Sequence, residues 1–173
     1  MKKIIIILTI LTTITIYNEI QKKEIIIPNT AIRLRVIPNS NTVLDQNMKN
    51  KVKTYLEEDT YNLLENIDNI EEARNIINNN IDNINNSINT IFKENNYNMN
   101  YNLDFGYNYF PEKEYRGIKY KEGYYESLVI TIGEGEGDNF WCVLFPNLCL
   151  VDLENKEDTE YKSWVIEKID KIF

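Results

Sequence analysis

The sequence predicts an α+β domain, a helical hairpin packed on a mostly antiparallel β-sheet and preceded by an N-terminal signal or anchor segment. Three observations predict it. An alternating pattern at residues 31–37 leads into two long stretches whose apolar residues recur every three or four positions. Three or four β-rich stretches fill the second half. An uncharged apolar run stands behind two lysines at the start.

The N-terminal run comes first. Lys2 and Lys3 precede residues 4–17, which carry no charge. As a helix these residues reach about 21 Å, short of the roughly 30 Å hydrocarbon core of a bilayer. That length suits the apolar region of a secretory signal. No small-x-small cleavage pattern follows Tyr17, so the segment can equally stay on as an anchor. A buried strand or helix is the competing reading. The expected organisation is residues 1–28 as signal or anchor with a connector, 29–152 as the folded domain, and 153–173 as a charged linker with a short amphipathic helix.

The first strand, residues 31–37, alternates apolar residues with Arg33 and Arg35. Pro38, Asn39, Ser40 and Asn41 are turn formers, and Asn41 or Thr42 can cap the helix that follows. Leu44, Met48, Val52, Tyr55, Leu56 and Leu63 keep helical spacing. A second helix is expected from Ile70 to Phe92, with Ile70, Ala73, Ile77, Ile81, Ile84, Ile88 and Ile91 on one stripe. Such a stripe can face a coiled-coil partner or the domain's own core.

Residues 99–110 alternate polar side chains with aromatic or aliphatic ones, and Pro111 interrupts them. Residues 113–132 suggest two strands around Lys121-Glu122-Gly123. Residues 139–151 are the most apolar stretch of the domain, broken by Pro146. Trp164, Val165, Ile169 and Ile172 give the last segment its amphipathic character.

Composition narrows the chemistry. The 173 residues include no histidine, which excludes Ser-His-Asp and Cys-His catalysis and any histidine-ligated zinc. Two cysteines cannot complete a four-cysteine site, and no phosphate-binding Gly-x-x-x-x-Gly-Lys motif is present. Carboxylates are plentiful, as in Glu57-Glu58-Asp59, yet no local pattern singles out a general acid or base. The net charge is −8; residues 1–28 hold four lysines and two acids, so the remainder carries −10. An acidic domain of this kind is repelled by nucleic acid and anionic lipid, which leaves membrane attachment to the N-terminal segment. No cofactor, metal or small-molecule substrate is implied.

The sharpest local feature is residues 133–141, where Gly133, Gly135 and Gly137 alternate with Glu134, Glu136 and Asp138 before Asn139, Phe140 and Trp141. The loop could cradle a phosphate, although its acids oppose that. It could bind Ca²⁺ through Glu134, Glu136 and Asp138, although the spacing does not match a helix–loop–helix calcium loop. It could instead present Phe140 and Trp141 to a protein partner, or simply turn into a buried strand. Cys142 and Cys149 flank Pro146; in an exported protein a disulfide could staple that bend, and two buried thiols are the alternative. Arg33 and Arg35 could grip a carboxylate, or belong to a solvated strand face.

Two blocks resemble a known family. Ile32-Arg33-Leu34-Arg35-Val36-Ile37-Pro38-Asn39-Ser40-Asn41, followed by Asp45-Gln46-Asn47-Met48-Lys49 and Lys51-Val52, is similar to the N-terminal signature of the stage II sporulation protein R family. Gly133-Glu134-Gly135, Gly137, Asn139-Phe140-Trp141-Cys142-Val143-Leu144-Phe145-Pro146 and Leu148-Cys149 resemble that family's glycine-rich loop and Trp-Cys-Val-Leu-Phe-Pro run. Tyr109-Phe110-Pro111 and residues 123–128 lie between them in matching order. Pro38 stands where the family usually has alanine, Asn41 where an acid is common, and Phe140 where the first of two tryptophans falls.

The resemblance implies a non-enzymatic signalling protein of endospore formation, exported across the forespore membrane into the intermembrane space. There it would activate a membrane-embedded aspartic protease that processes the mother-cell sigma-factor precursor. Its contact residues would come from Arg33, Arg35, Asn39, Ser40, Glu134, Phe140 and Trp141. Outside the resemblance, an exported cell-wall-binding protein or cell-wall hydrolase is the competing function, and a structural envelope protein a third.

Overall fold

A computed structural model of the chain describes residues 25–115, 118–149 and 158–172. The apolar run at 4–17 and the charged linker at 153–157 lie outside the described residues. The architecture is α+β, as the spacing predicts. In chain order the elements are β1 (Ile25–Ile26), β2 (Ile32–Ile37), α1 (Val43–Leu64), α2 (Ile70–Glu94), β3 (Tyr101–Phe110), β4 (Lys113–Tyr115), β5 (Ile118–Tyr120), β6 (Gly123–Ile132), β7 (Phe140–Phe145) and α3 (Asp158–Ile172).

Each helix starts where its cap allows. Thr42, in an extended conformation, accepts a hydrogen bond from the Asp45 N–H and opens α1. Asn69 does the same for α2, taking the N–H groups of Glu71 and Glu72, and both acids favour the positive end of the helix dipole. The isoleucine stripe of α2 faces the domain's own core: Ala73, Ile77, Ile84 and Ile88 are buried.

The main sheet has the order β3-β6-β2-β7. β6 is antiparallel to β3, and β7 is antiparallel to β2. β2 and β6 are parallel, with Arg33 beside Ser127 and Arg35 beside Val129. The parallel pair follows from connectivity, because both helices and β3 separate the two strands and give the chain room to return in the same direction. A second, three-stranded sheet has the order β1-β5-β4. Residues 113–132 therefore form three strands in two sheets rather than one hairpin about Lys121-Glu122-Gly123: β5 pairs with β1 and β4, and β6 joins the main sheet.

Alternation along the strands divides the buried residues into two layers. Ile32, Leu34 and Val36 of β2 meet Leu128, Ile130 and Ile132 of β6 beneath Met48, Val52, Leu56 and the α2 stripe. On the opposite face Val143 packs with Ile27, Ala31, Leu148 and Val165, so the small sheet and α3 cover part of that side.

One ion pair ties α2 to the sheet. Arg74 grips Glu126 with both arms, Nε to Oε1 at 2.5 Å and Nη2 to Oε2 at 2.8 Å, and also reaches Glu71. Glu126 is 8% exposed. Arg74→Ala strands that carboxylate at a buried position, so about 2–3 kcal/mol of stability should be lost in urea denaturation. A loss under about 0.5 kcal/mol, the scale of an exposed pair, would refute the buried bidentate contact.

Candidate functional site

The two blocks that stand out in the sequence are brought together. β2 and the start of β7 lie side by side, so the loop leaving β2 (residues 38–42) docks on the glycine-rich loop entering β7 (residues 133–139). Backbone donors of the glycine loop turn inward onto the other loop. Glu134 N–H donates to Asn39 Oδ1 (3.1 Å), Glu136 N–H to Asn39 O (3.1 Å), Gly137 N–H to Pro38 O (3.1 Å) and Asp138 N–H to Asn41 Oδ1 (2.7 Å). These donors are spent within the protein, which removes the basis for a phosphate cradle. The side chains of Glu134, Glu136 and Asp138 are exposed.

Glycine is required here for two different reasons. Gly133 has φ 55°, a left-handed conformation, and a Cβ there would lie 2.2 Å from Asn39 Oδ1. At Gly137 a Cβ would lie 2.3 Å from Ser40 O, so the two backbones approach as closely as glycine permits.

Against the 38–42 loop sits Asp45, 5% exposed, in the first turn of α1. Its carboxylate accepts from Ser40 Oγ (2.5 Å), Asn39 Nδ2 (3.0 Å) and the buried Tyr97 hydroxyl (2.6 Å). Ser40, Tyr97 and Asn39 together lower its pKa from 3.8 to about 2, because each hydrogen bond favours the charged form. Burial, and then the Asp45 charge, raise the Tyr97 pKa. Lys49 closes the far side, donating to Gln46 Oε1 (2.6 Å) and Asp138 O (3.2 Å). Asn39 and Ser40 thus hold the loop pair from within.

The two arginines of β2 share a face and differ in access. Arg33 is 2% exposed, with its guanidinium 3.3 Å from the Tyr125 ring centroid and within 6 Å of those of Phe110 and Tyr120. Its three guanidinium nitrogens have no hydrogen-bond partner among the described residues. Attraction to the ring faces offsets part of the cost of burying this cation, and desolvation lowers its pKa. Arg35 is half-buried and reaches the surface. Asn139 Oδ1 accepts from its Nη2 (2.7 Å) and Nε (3.1 Å), and the Asn139 amide nitrogen donates to Gly137 O (2.9 Å). Arg35 therefore orients the end of the glycine loop, with the Trp141 centroid 5.4 Å away.

Strand alternation sends Phe140 and Trp141 to opposite faces. Phe140 packs toward the helices with Lys53 Nζ 4.8 Å from its ring, while Trp141 lies on the arginine face with Lys113 Nζ 4.7 Å away. Both are half-buried, on opposite faces at one end of the sheet. Cys142 and Cys149 form a disulfide with a Cα–Cα distance of 5.3 Å. It closes the chain that leaves β7, and Leu148 N–H donates to Val143 O inside the same bend. Removing both sulfurs by Cys142→Ser with Cys149→Ser should cost about 2–3 kcal/mol, the loop entropy released by so short a ring. Thermal unfolding under non-reducing conditions measures this; an unchanged midpoint would deny the disulfide a stabilising role.

Asp45 and Tyr97 are the residues that sequence reading leaves out of the site. The signal for Asp45 is an acid three positions after a helix cap. Tyr97 gives no local signal, because its hydroxyl meets Asp45 only through tertiary packing.

The sequence profile described as stage II sporulation protein R matches residues 28–155. A protein named stage II sporulation protein R from Bacillus subtilis (strain 168) is 34% identical over 155 residues, which covers 86% of this chain and 69% of that protein. No solved structure matches the chain.

Proposed function

The chain belongs to the stage II sporulation protein R family, and on that premise we propose that it is an exported, non-catalytic messenger of endospore formation. In this reading it crosses the forespore membrane and acts in the intermembrane space on a membrane-embedded aspartic protease. The protease then processes the mother-cell sigma-factor precursor. Family membership carries the proposal.

The geometry supplies a mechanism of the right kind. A messenger can shift a receptor only by binding its active state better than its inactive one. Such preference needs a surface that keeps its shape on binding, since ordering a loose loop costs affinity. The end of the sheet around residues 133–141 has that quality: one loop is bonded to the other, Asp45 fixes that other loop through Asn39 and Ser40, and the disulfide closes the neighbouring bend. It offers exposed Glu134 and Glu136, with half-buried Trp141 and Arg35 on one face of the sheet and half-buried Phe140 on the other. Asn39 and Ser40 act from beneath, by holding that surface in place, while Arg33 is buried among the rings of Phe110, Tyr120 and Tyr125.

The test is genetic. In a strain lacking the gene, the sigma-factor precursor should remain unprocessed on an immunoblot. An export-competent copy should restore processing, and a copy without residues 1–28 should not. Normal processing in the deletion strain would overturn the proposal.

A further inference from the structure

The outer edge of β3 is a ten-residue strand that pairs only with β6 among the described residues. An open edge offers its backbone donors and acceptors to any extended chain, and proteins usually guard it with lysine, proline, a bulge or short length. Apart from one exposed charge, Asp104, β3 has none of these guards: its sequence YNLDFGYNYF holds no lysine or proline, and its register with β6 runs unbroken from Tyr101 to Phe110. Along this edge Tyr107 is 73% exposed, and Leu103 and Phe105 are only half-buried.

We infer that β3 pairs antiparallel with β3 of a second copy, giving a two-fold dimer with one continuous eight-stranded sheet. A second copy fits because the strand is complementary to itself about Phe105. Residues directly opposite across an antiparallel pair share a sheet face. Centred on Phe105, the two-fold sets Phe105 against Phe105 and Leu103 against Tyr107 on the helix face. On the other face Asn102 meets Asn108, and Asp104 meets Gly106. The one ionised side chain of the strand therefore faces a residue with no side chain, in a protein whose net charge of −8 otherwise opposes self-association. The interface is isologous, as a closed dimer requires. The inference is independent of the signalling reading.

The experiment exploits the Asp104–Gly106 pair. A Cβ at Gly106 would meet only its own strand's Asp104 carboxylate, at an ordinary 3.6 Å, so a side chain can be placed there without rebuilding the monomer. In sedimentation equilibrium of the full chain in mild detergent, Gly106→Lys should tighten the dimer and Gly106→Asp should weaken it. Each shift should be roughly 2- to 30-fold, the effect of two symmetry-related cross-strand charge pairs. In parallel, the Asn102→Cys, Asn108→Cys double variant should give a disulfide-linked dimer on non-reducing gels, and Glu65→Cys, exposed in the turn after α1, should not. A chain that stays monomeric at the highest attainable concentration overturns the inference. So does a dimer that ignores both Gly106 variants and is not trapped through residues 102 and 108, since that dimer would form elsewhere.

Discussion

Replacing Asp45 with alanine should cost about 3–5 kcal/mol of folding stability, the range for removing one member of a buried, charge-assisted hydrogen-bond network. The magnitude follows from what remains. Tyr97 keeps a buried hydroxyl without its 2.6 Å acceptor, and Ser40 and Asn39 lose the oxygen that fixes their side chains. Asn39 is also the acceptor for the Glu134 and Glu136 N–H groups, so the glycine loop loosens along with α1. Acid should reveal the same residue. The pKa of Asp45 is about 2 when folded and 3.8 ordinarily, a depressed value. Its contribution is therefore complete above pH 4 and disappears as pH falls through 2, amounting to about 2 kcal/mol. Urea titrations at pH 6 and pH 2 should show this drop in the native protein and its absence in Asp45→Asn, which keeps the shape but cannot ionise. An equal acid slope in both proteins would remove Asp45 from the centre of the loop pair.

The helical hairpin is legible in the sequence because its information is local. Ile77, Ile84 and Ile88 share a stripe at helical spacing, and Thr42 is one of the two caps the sequence offers for the first helix. The opposite orientations of Phe140 and Trp141 follow from strand alternation alone. What the sequence does not disclose is the second layer. Period-two alternation puts Arg33 and Arg35 on the same face, and both lie against Phe110, yet Arg33 is the one that Tyr120 and Tyr125 also cover. Nothing near Arg33 in the chain announces that cover, which comes from residues about ninety positions away. The same holds for carboxylates. Asp45 resembles the acids at 57–59 in composition and in helical context. It becomes the buried one because Asn39, Ser40 and Tyr97 close on its carboxylate, and Tyr97 comes from 52 positions away, a pairing written in neither stretch.

Gly137→Ala tests whether the two loops act as one surface. The added methyl would lie 2.3 Å from Ser40 O, 2.6 Å from Ser40 C and 2.7 Å from Pro38 Cγ. Two of these atoms are backbone, so a rotamer change cannot relieve the contact and the loops must separate. Separation breaks the Gly137 N–H bond to Pro38 O and its neighbour from Glu136 to Asn39 O, at a cost of about 2–4 kcal/mol. Gly106→Ala, whose added methyl would make only an ordinary contact with Asp104 at 3.6 Å, should change stability by less than about 1 kcal/mol and serves as the control. Stability alone does not distinguish a folding defect from a lost contact surface, and Arg74→Ala supplies the comparison. It should cost a similar amount while leaving residues 133–141 docked. If partners read the locked loop pair, Gly137→Ala should reduce sigma-factor processing well below the level left by Arg74→Ala at matched protein abundance, and amide exchange at Glu134 and Asp138 should quicken only in the glycine variant. Equal processing in the two variants would mean that the locked loops serve the fold and that recognition lies on another face.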